Sequence, residues 1–154
     1  MAPKKLKKLS KENAAYLAGL IDGEGTITLT NKQKGAERQL VVSISNTEYD
    51  LLESVFKMTG VWKITSKRST NQAHRTGHTF VLSNRQALEL LSRMLPYLHS
   101  YKKQRAKLVI KNYIRLTPRN GKYTPALLAK REKFVKKFFE MKFSLQKQKI
   151  STKG

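Results

Sequence analysis

Two pairs of strand-period segments, each pair preceded by a helix-period segment, limit the fold of this chain more than any other feature. In residues 26–34, Ile27 and Leu29 face one way while Thr26, Thr28, Thr30 and Lys32 face the other. In residues 37–45, Leu40, Val42 and Ile44 oppose Gln39, Val41 and Ser43, and Gly35 with its neighbours supplies the hairpin turn between the two. Ahead of them, residues 11–22 read as a helix, with Ser10 as N-cap, Glu12 in the first turn and Gly23 as the C-terminal stop. Residues 47–58 give a second helix with Leu51, Leu52, Val55 and Phe56 on its apolar side. A second hairpin follows, 61–68 and 78–83, across the polar loop "STNQAHRTG". Residues 84–95 form a third helix, capped by Asn84 and stopped before Pro96. Residues 102–116 and 125–143 are two more, with Pro118 and Gly121 ending the first and Pro125 opening the second. The order αββαββα predicts an α+β fold: helices on one face of an antiparallel sheet, the other face free.

The chain has 154 residues, enough for one domain with a real core. The expected division is a basic arm at 1–10, a single domain at 11–145 and a flexible basic tail at 146–154. Thirty-two basic residues against ten acidic ones give a net charge of +22. Between Ser54 and Arg131 the one acid is Glu89, so the basic field is continuous and calls for a polyanion partner. Nucleic acid satisfies such a field better than a membrane surface does. With no cysteine, disulfides and thiolate metal sites are excluded, and a reducing intracellular setting is expected. No run reaches membrane-spanning length, and "MAPKKLKKLS" lacks the apolar segment of a secretory signal, so the protein is expected not to be secreted.

In a chain so poor in acids, the stretch "YLAGLIDGEGTITLT" at 16–30 needs an account. Ala15, Gly19 and Gly23 stand at i, i+4 and i+8, so a strip of the first helix carries almost no side chain. Such a strip lets a second helix approach backbone to backbone. Glu24 follows at the helix C-terminus, where carbonyl oxygens already concentrate negative charge and a carboxylate is unfavourable. A divalent cation reverses the sign of that interaction, and hard ions take this donor set of carboxylate and backbone carbonyl. Carboxylate, metal and basic surroundings together suit phosphodiester cleavage.

"LAGLIDGEG", Leu17–Gly25, resembles the signature of the LAGLIDADG homing endonucleases, with Gly23 for the usual alanine and Glu24 for the usual second aspartate. The β-hairpin that follows and the αββαββα order extend the likeness over most of the chain. The resemblance implies a sheet that forms a DNA-binding saddle, additional C-terminal helices and packing of the signature helix against a second copy. It also implies Mg2+, or another divalent cation such as Mn2+, at the base of that helix. Single-motif members act as homodimers, and this chain carries the motif once. By the same likeness, Glu24 is the metal-binding acid and Gly23 offers the adjacent carbonyl. "SISNTEYDLLESV" places Asn46 where a polar residue organises the water and metal network. "PYLHSYKKQRAKLV" places Lys102 where a lysine reaches the scissile phosphate, with Lys103 as the alternative if the loop is one residue longer. The arginine common on the family's second helix has no counterpart, since Tyr49 and Asp50 lie there.

The DNA-reading set expected on the free sheet face is Thr28, Thr30, Lys32, Gln39, Ser43, Lys63, Thr65 and Lys67, with Arg38 and Arg68 at strand ends. His74 and His78 stand at i, i+4 on a glycine-containing loop with no acid or cysteine nearby, and read as loop residues rather than a zinc site. Phe134, Phe138, Met141 and Leu145 form a helical stripe suited to core packing, and Trp62, alternating with Ile64, reads as core. The function expected is a site-specific, metal-dependent double-strand DNA endonuclease, cutting a long pseudo-palindromic target and leaving short 3′ overhangs. Two alternatives keep the fold: an RNA-splicing maturase, and a cleavage-dead DNA-binding regulator.

Overall fold

The computed structural model describes residues 4–61, 63–67 and 76–151, without the side chains of Lys67 and of 143–151. The chain divides into two compact units, Met1–Leu98 and His99–Gly154.

In the first unit the elements run α1 (Lys11–Glu24), β1 (Gly25–Asn31), β2 (Arg38–Asn46), α2 (Tyr49–Thr59), β3 (Ile64–Lys67), β4 (Gly77–Ser83) and α3 (Asn84–Met94), followed by a 3-10 turn at Leu95–Tyr97. This is the expected αββαββα order. The four strands form one antiparallel sheet in the order β1-β2-β4-β3, so the two central strands come from different hairpins. Ile27 pairs with Val42, and Val42 with Leu82, which stacks apolar residues across one face. Those residues are buried together with Ala14, Leu17, Ala18 and Ile21 of α1, Leu52 and Val55 of α2, and Leu90 and Leu91 of α3. The three helices therefore share one side of the sheet. In α1 the buried positions follow the helical period, which is why this helix docks by a single stripe.

The ends of α1 follow local chemistry. Ser10 Oγ accepts from the Asn13 backbone N–H at 3.1 Å, closing the N-terminus as expected. The helix runs one residue past the expected stop at Gly23 and two past Asp22, ending on Glu24. The Gly25 N–H closes the last turn onto the Ile21 carbonyl. The glycine that matters sterically is Gly25: a Cβ there would lie 2.6 Å from Ile21 Cδ1 and 2.7 Å from Ile21 Cα. Among the described residues, no atom lies within 4 Å of a Cβ placed at Gly19 or Gly23, so none of them requires glycine there.

Three further details differ from the sequence reading. Lys32 lies just past the end of β1, exposed in the hairpin loop, where Gly35 takes a left-handed φ of 82°. Asn84 is not the N-cap of α3. Ser83 occupies that position, and Asn84 is the first helical residue, with φ at 53°. Residues 4–8, read as an arm, are tied to the first unit: Leu6 is buried, the Lys7 N–H donates to the Thr59 carbonyl at 2.8 Å, and Arg93 Nη1 donates to the Lys7 carbonyl at 2.9 Å. Trp62 and His74 lie outside the described residues.

The second unit holds α4 (Tyr101–Asn112) and α5 (Pro125–Ser151). Helix α4 is three turns and then unwinds through 113–116, ahead of Pro118 and of Gly121, whose φ is 67°. Helix α5 opens with Pro125, as expected, and Thr124 Oγ1 accepts from the Leu127 N–H. It continues through residues 146–151, which the sequence reading assigned to a tail. Phe134 and Phe138 are buried and Met141 half-buried, as the stripe suggested. Sequence did not foresee Arg131, which is 1% exposed: its Nη1 donates to the Leu116 carbonyl at 2.6 Å and to Thr117 Oγ1 at 2.7 Å, beside the rings of Tyr113 and Tyr123. Arg105 sits 4.5 Å over the Phe138 ring, and burial lowers its pKa.

Candidate active site and nucleic-acid interface

Glu24 ends α1 with its side chain exposed. Among the described residues its hydrogen-bond partner is Asn46, whose Nδ2 lies 3.4 Å from Glu24 Oε2, a long contact. Asn46 ends β2, and its Oδ1 accepts from the Glu48 N–H at 2.8 Å. That bond fixes the turn into α2 and points the amide nitrogen back at Glu24. The sheet register thus brings Glu24 and Asn46, 22 residues apart, to one end of the unit. No group of three or more His, Cys, Asp or Glu side chains among the described residues could hold a metal. The donor set at this helix end is the solvent-facing Glu24 carboxylate and the Gly23 carbonyl in the last turn of α1. It suits a hard oxygen-seeking ion and is too small to complete its shell alone.

Ala15, Gly19 and Gly23 are all exposed, on the side of α1 away from its buried stripe. Tyr16 beside them is 46% exposed. The helix therefore has one face sunk in the core and another lined with groups too small to hold off a partner.

On the sheet, Thr26, Thr28 and Thr30 pair with Ser43, Val41 and Gln39, on the face opposite the core. Each keeps partial or full exposure. Thr65 and the Lys67 backbone continue this face onto β3, with exposed Lys63 just before it; the Lys67 side chain and Arg68 lie outside the described residues. Arg38 does not share the face. Its place in the register is that of Leu40, and its Nη1 donates to the Leu29 carbonyl at 3.0 Å. His78 likewise lies on the helix side, where Nδ1 sits 2.7 Å from Ser66 Oγ and the ring stands edge-on to Tyr49.

Three contributors to the open face, Ser45, Thr79 and Asn84, were not placed there from sequence. Ser45 Oγ and Thr79 Oγ1 pair across the strands at 2.9 Å, and Asn84 Nδ2 donates to Gln39 Oε1 at 3.0 Å. The alternation of β2 pointed to Ser45, whereas nothing in the sequence brings Asn84 to a residue 45 positions earlier. Lys102 belongs to the second unit, in the first turn of α4, 8% exposed, with its N–H donating to Ser100 Oγ; Lys103 beside it is half-buried.

The LAGLIDADG-like domain family matches residues 11–94, just over half of the chain and the whole αββαββα unit. The chain belongs to the LAGLIDADG family. Sequence comparison with curated proteins gives no match. Among solved structures, the LAGLIDADG chain resembles the homing endonuclease I-CvuI, crystallised in complex with its target in the presence of calcium: 22% identity, 85% of this chain, 82% of that one, TM-score 0.68. It resembles the homing endonuclease I-TnaI at 13% identity, covering 92% of this chain and 99% of that one, with TM-score 0.57. The meganuclease I-SmaMI, bound to uncleaveable DNA, matches at 16% identity and TM-score 0.61, but there 84% of this chain covers 46% of that one. At these identities the likeness shows the LAGLIDADG fold. Among the described residues, no helix is long and apolar enough to cross a membrane.

Proposed function

We propose that the protein is a site-specific, metal-dependent DNA endonuclease that acts as a homodimer. The observation that carries this reading is the pairing, on one helix, of an exposed strip without side chains and a solvent-facing carboxylate at its end. Two copies joined along Ala15, Gly19 and Gly23 would bring two Glu24 carboxylates and two Gly23 carbonyls to either side of one dyad. That supplies the donors a single chain lacks, with phosphate oxygens completing the shell. The likeness to I-CvuI in complex with its target and to I-SmaMI bound to DNA, of which this chain covers 46%, supports a DNA substrate.

A divalent ion held there would polarise a phosphate and sharpen the acidity of water. The residues of this chain do the rest. Glu24 would anchor the ion, Asn46 would hold the Glu24 carboxylate and offer an amide to ordered water, and Lys102 is assigned to the charge that develops on the phosphate. The threonine, serine and glutamine hydroxyl and amide groups of the open face are of the size and polarity to read base edges in the major groove. Cleavage would leave a 5′-phosphate and a 3′-hydroxyl, with short 3′ overhangs as the family resemblance implies. A DNA substrate and a cysteine-free chain fit an intracellular setting.

Glu24→Gln tests the site, because it keeps size and hydrogen bonding while removing the anionic ligand. Magnesium-dependent cleavage should vanish while duplex binding survives in a gel shift. Undiminished cleavage by this variant would remove Glu24 from the metal site.

A further inference from the structure

Gln39 lies on the open face opposite Thr30, and its side-chain oxygen faces the Asn84 amide nitrogen at 3.0 Å. The residue holding it is itself unusual. Asn84 is the single non-glycine residue with positive φ among the described ones, at 53°, a conformation that asparagine and glycine tolerate and most residues resist. It follows Ser83, which pairs with Val41 two positions along β2, so the start of α3 is brought beside Gln39 by the sheet register.

We infer that Asn84 is a positioning residue that sets which base Gln39 recognises. The inference rests on the open face reading DNA. An unrestrained glutamine amide can turn over and present a donor and an acceptor side by side, the pair that matches adenine N6 and N7 in the major groove. Here Asn84 engages one of the two lone pairs of Oε1, which leaves the Nε2 hydrogens as the freer contact for the groove. A donor-led edge fits the acceptors of guanine (N7 and O6), thymine (O4) and adenine (N7), and meets no complement in the cytosine N4 amine. Asn84 thus selects bases without touching one. Its left-handed backbone keeps it in place, since a branched residue there would strain the turn from β4 into α3.

The full-length protein, assayed for both binding and cleavage on duplexes carrying each of the four bases at every half-site position, decides this. Gln39→Ala first locates the contacted position as the one whose preference it erases. Wild type should discriminate against cytosine there. Asn84→Asp replaces a donor by a group that only accepts, so Gln39 must offer its Nε2 to the carboxylate and turn Oε1 outward. Preference should then move toward cytosine, with its ratio to guanine and thymine changing by about 10-fold or more. Asn84→Gly keeps the backbone and removes the tie, and should leave the position tolerant of all four bases, with adenine gaining most. An Asp variant with the wild-type base profile would overturn the inference, as would a uniform loss across all duplexes in both variants, which marks Asn84 as a fold residue. Failure to cleave any duplex would count against the endonuclease reading alone, because the base profile is read equally from binding.

Discussion

Replacing Gly19 by leucine separates folding from assembly. Within one chain a Cβ at Gly19 meets nothing inside 4 Å, and the residue is exposed on α1, so the branched side chain has room in the isolated subunit. Leucine also favours the helix over glycine by about 0.8 kcal/mol, which should make the monomer slightly more stable. If two copies of α1 meet along Ala15, Gly19 and Gly23, the same side chain enters a backbone contact from both sides. Overpacking costs about 1–3 kcal/mol per insertion, and the two-fold axis doubles it to about 2–6 kcal/mol. Since about 1.4 kcal/mol is a factor of ten, the dimer dissociation constant should rise by about 30-fold to 20,000-fold. Thermal unfolding of the variant at low protein concentration should match or exceed that of wild-type monomer. Sedimentation should show the dimer weakened, and double-strand cleavage should fall with it, although no catalytic atom has changed. A Gly19→Leu protein that sediments as a wild-type dimer and cleaves normally would refute the helix-pair argument, and so would a wild-type monomer that cuts both strands as a lone subunit.

Gly25→Ala should behave in the opposite way: the new methyl meets Ile21 Cα, which is backbone and fully buried, so the loss of about 1–3 kcal/mol appears in unfolding of the subunit itself. Lys102→Met keeps the aliphatic stem of a nearly buried side chain and removes its charge, so single-turnover cleavage should slow sharply with base preference unchanged; a larger effect from Lys103→Met would transfer the role to the neighbour. The unit from residue 99 onward carries 17 basic and two acidic residues, a net +15. Neutralising exposed Lys130, Lys133 and Lys137 on α5 should therefore flatten the dependence of duplex affinity on salt, by up to about 2.7 in the log–log slope if all three reach phosphates; an unchanged slope would place these lysines off the DNA.

The alternation of 26–34 and 37–45, the helical stripes around them and the turn glycine at 35 fixed the element order, because period and turn chemistry are local and the chain had no competing pattern. The odd placement of Glu24 after a small-residue strip was equally legible, since charge at a helix end is a local matter too. What only the tertiary structure decided are the cross-chain pairings. Sequence asked Gly23 to stop α1, but the stop is Gly25, because the close approach to Ile21 exists only once the helix turns into β1. Arg38 looked like a member of the reading face, yet the register gives it the parity of Leu40 and ties it to the Leu29 carbonyl. Asn84 looked like a cap, and its part in the structure is to hold a glutamine 45 residues away. Arg131 carried no signal in the sequence and is buried beside two tyrosines. For Arg38, Arg131 and Asn84 the deciding partner lies 9, 15 and 45 residues away, and its position follows from strand register or helix packing rather than from any adjacent residue.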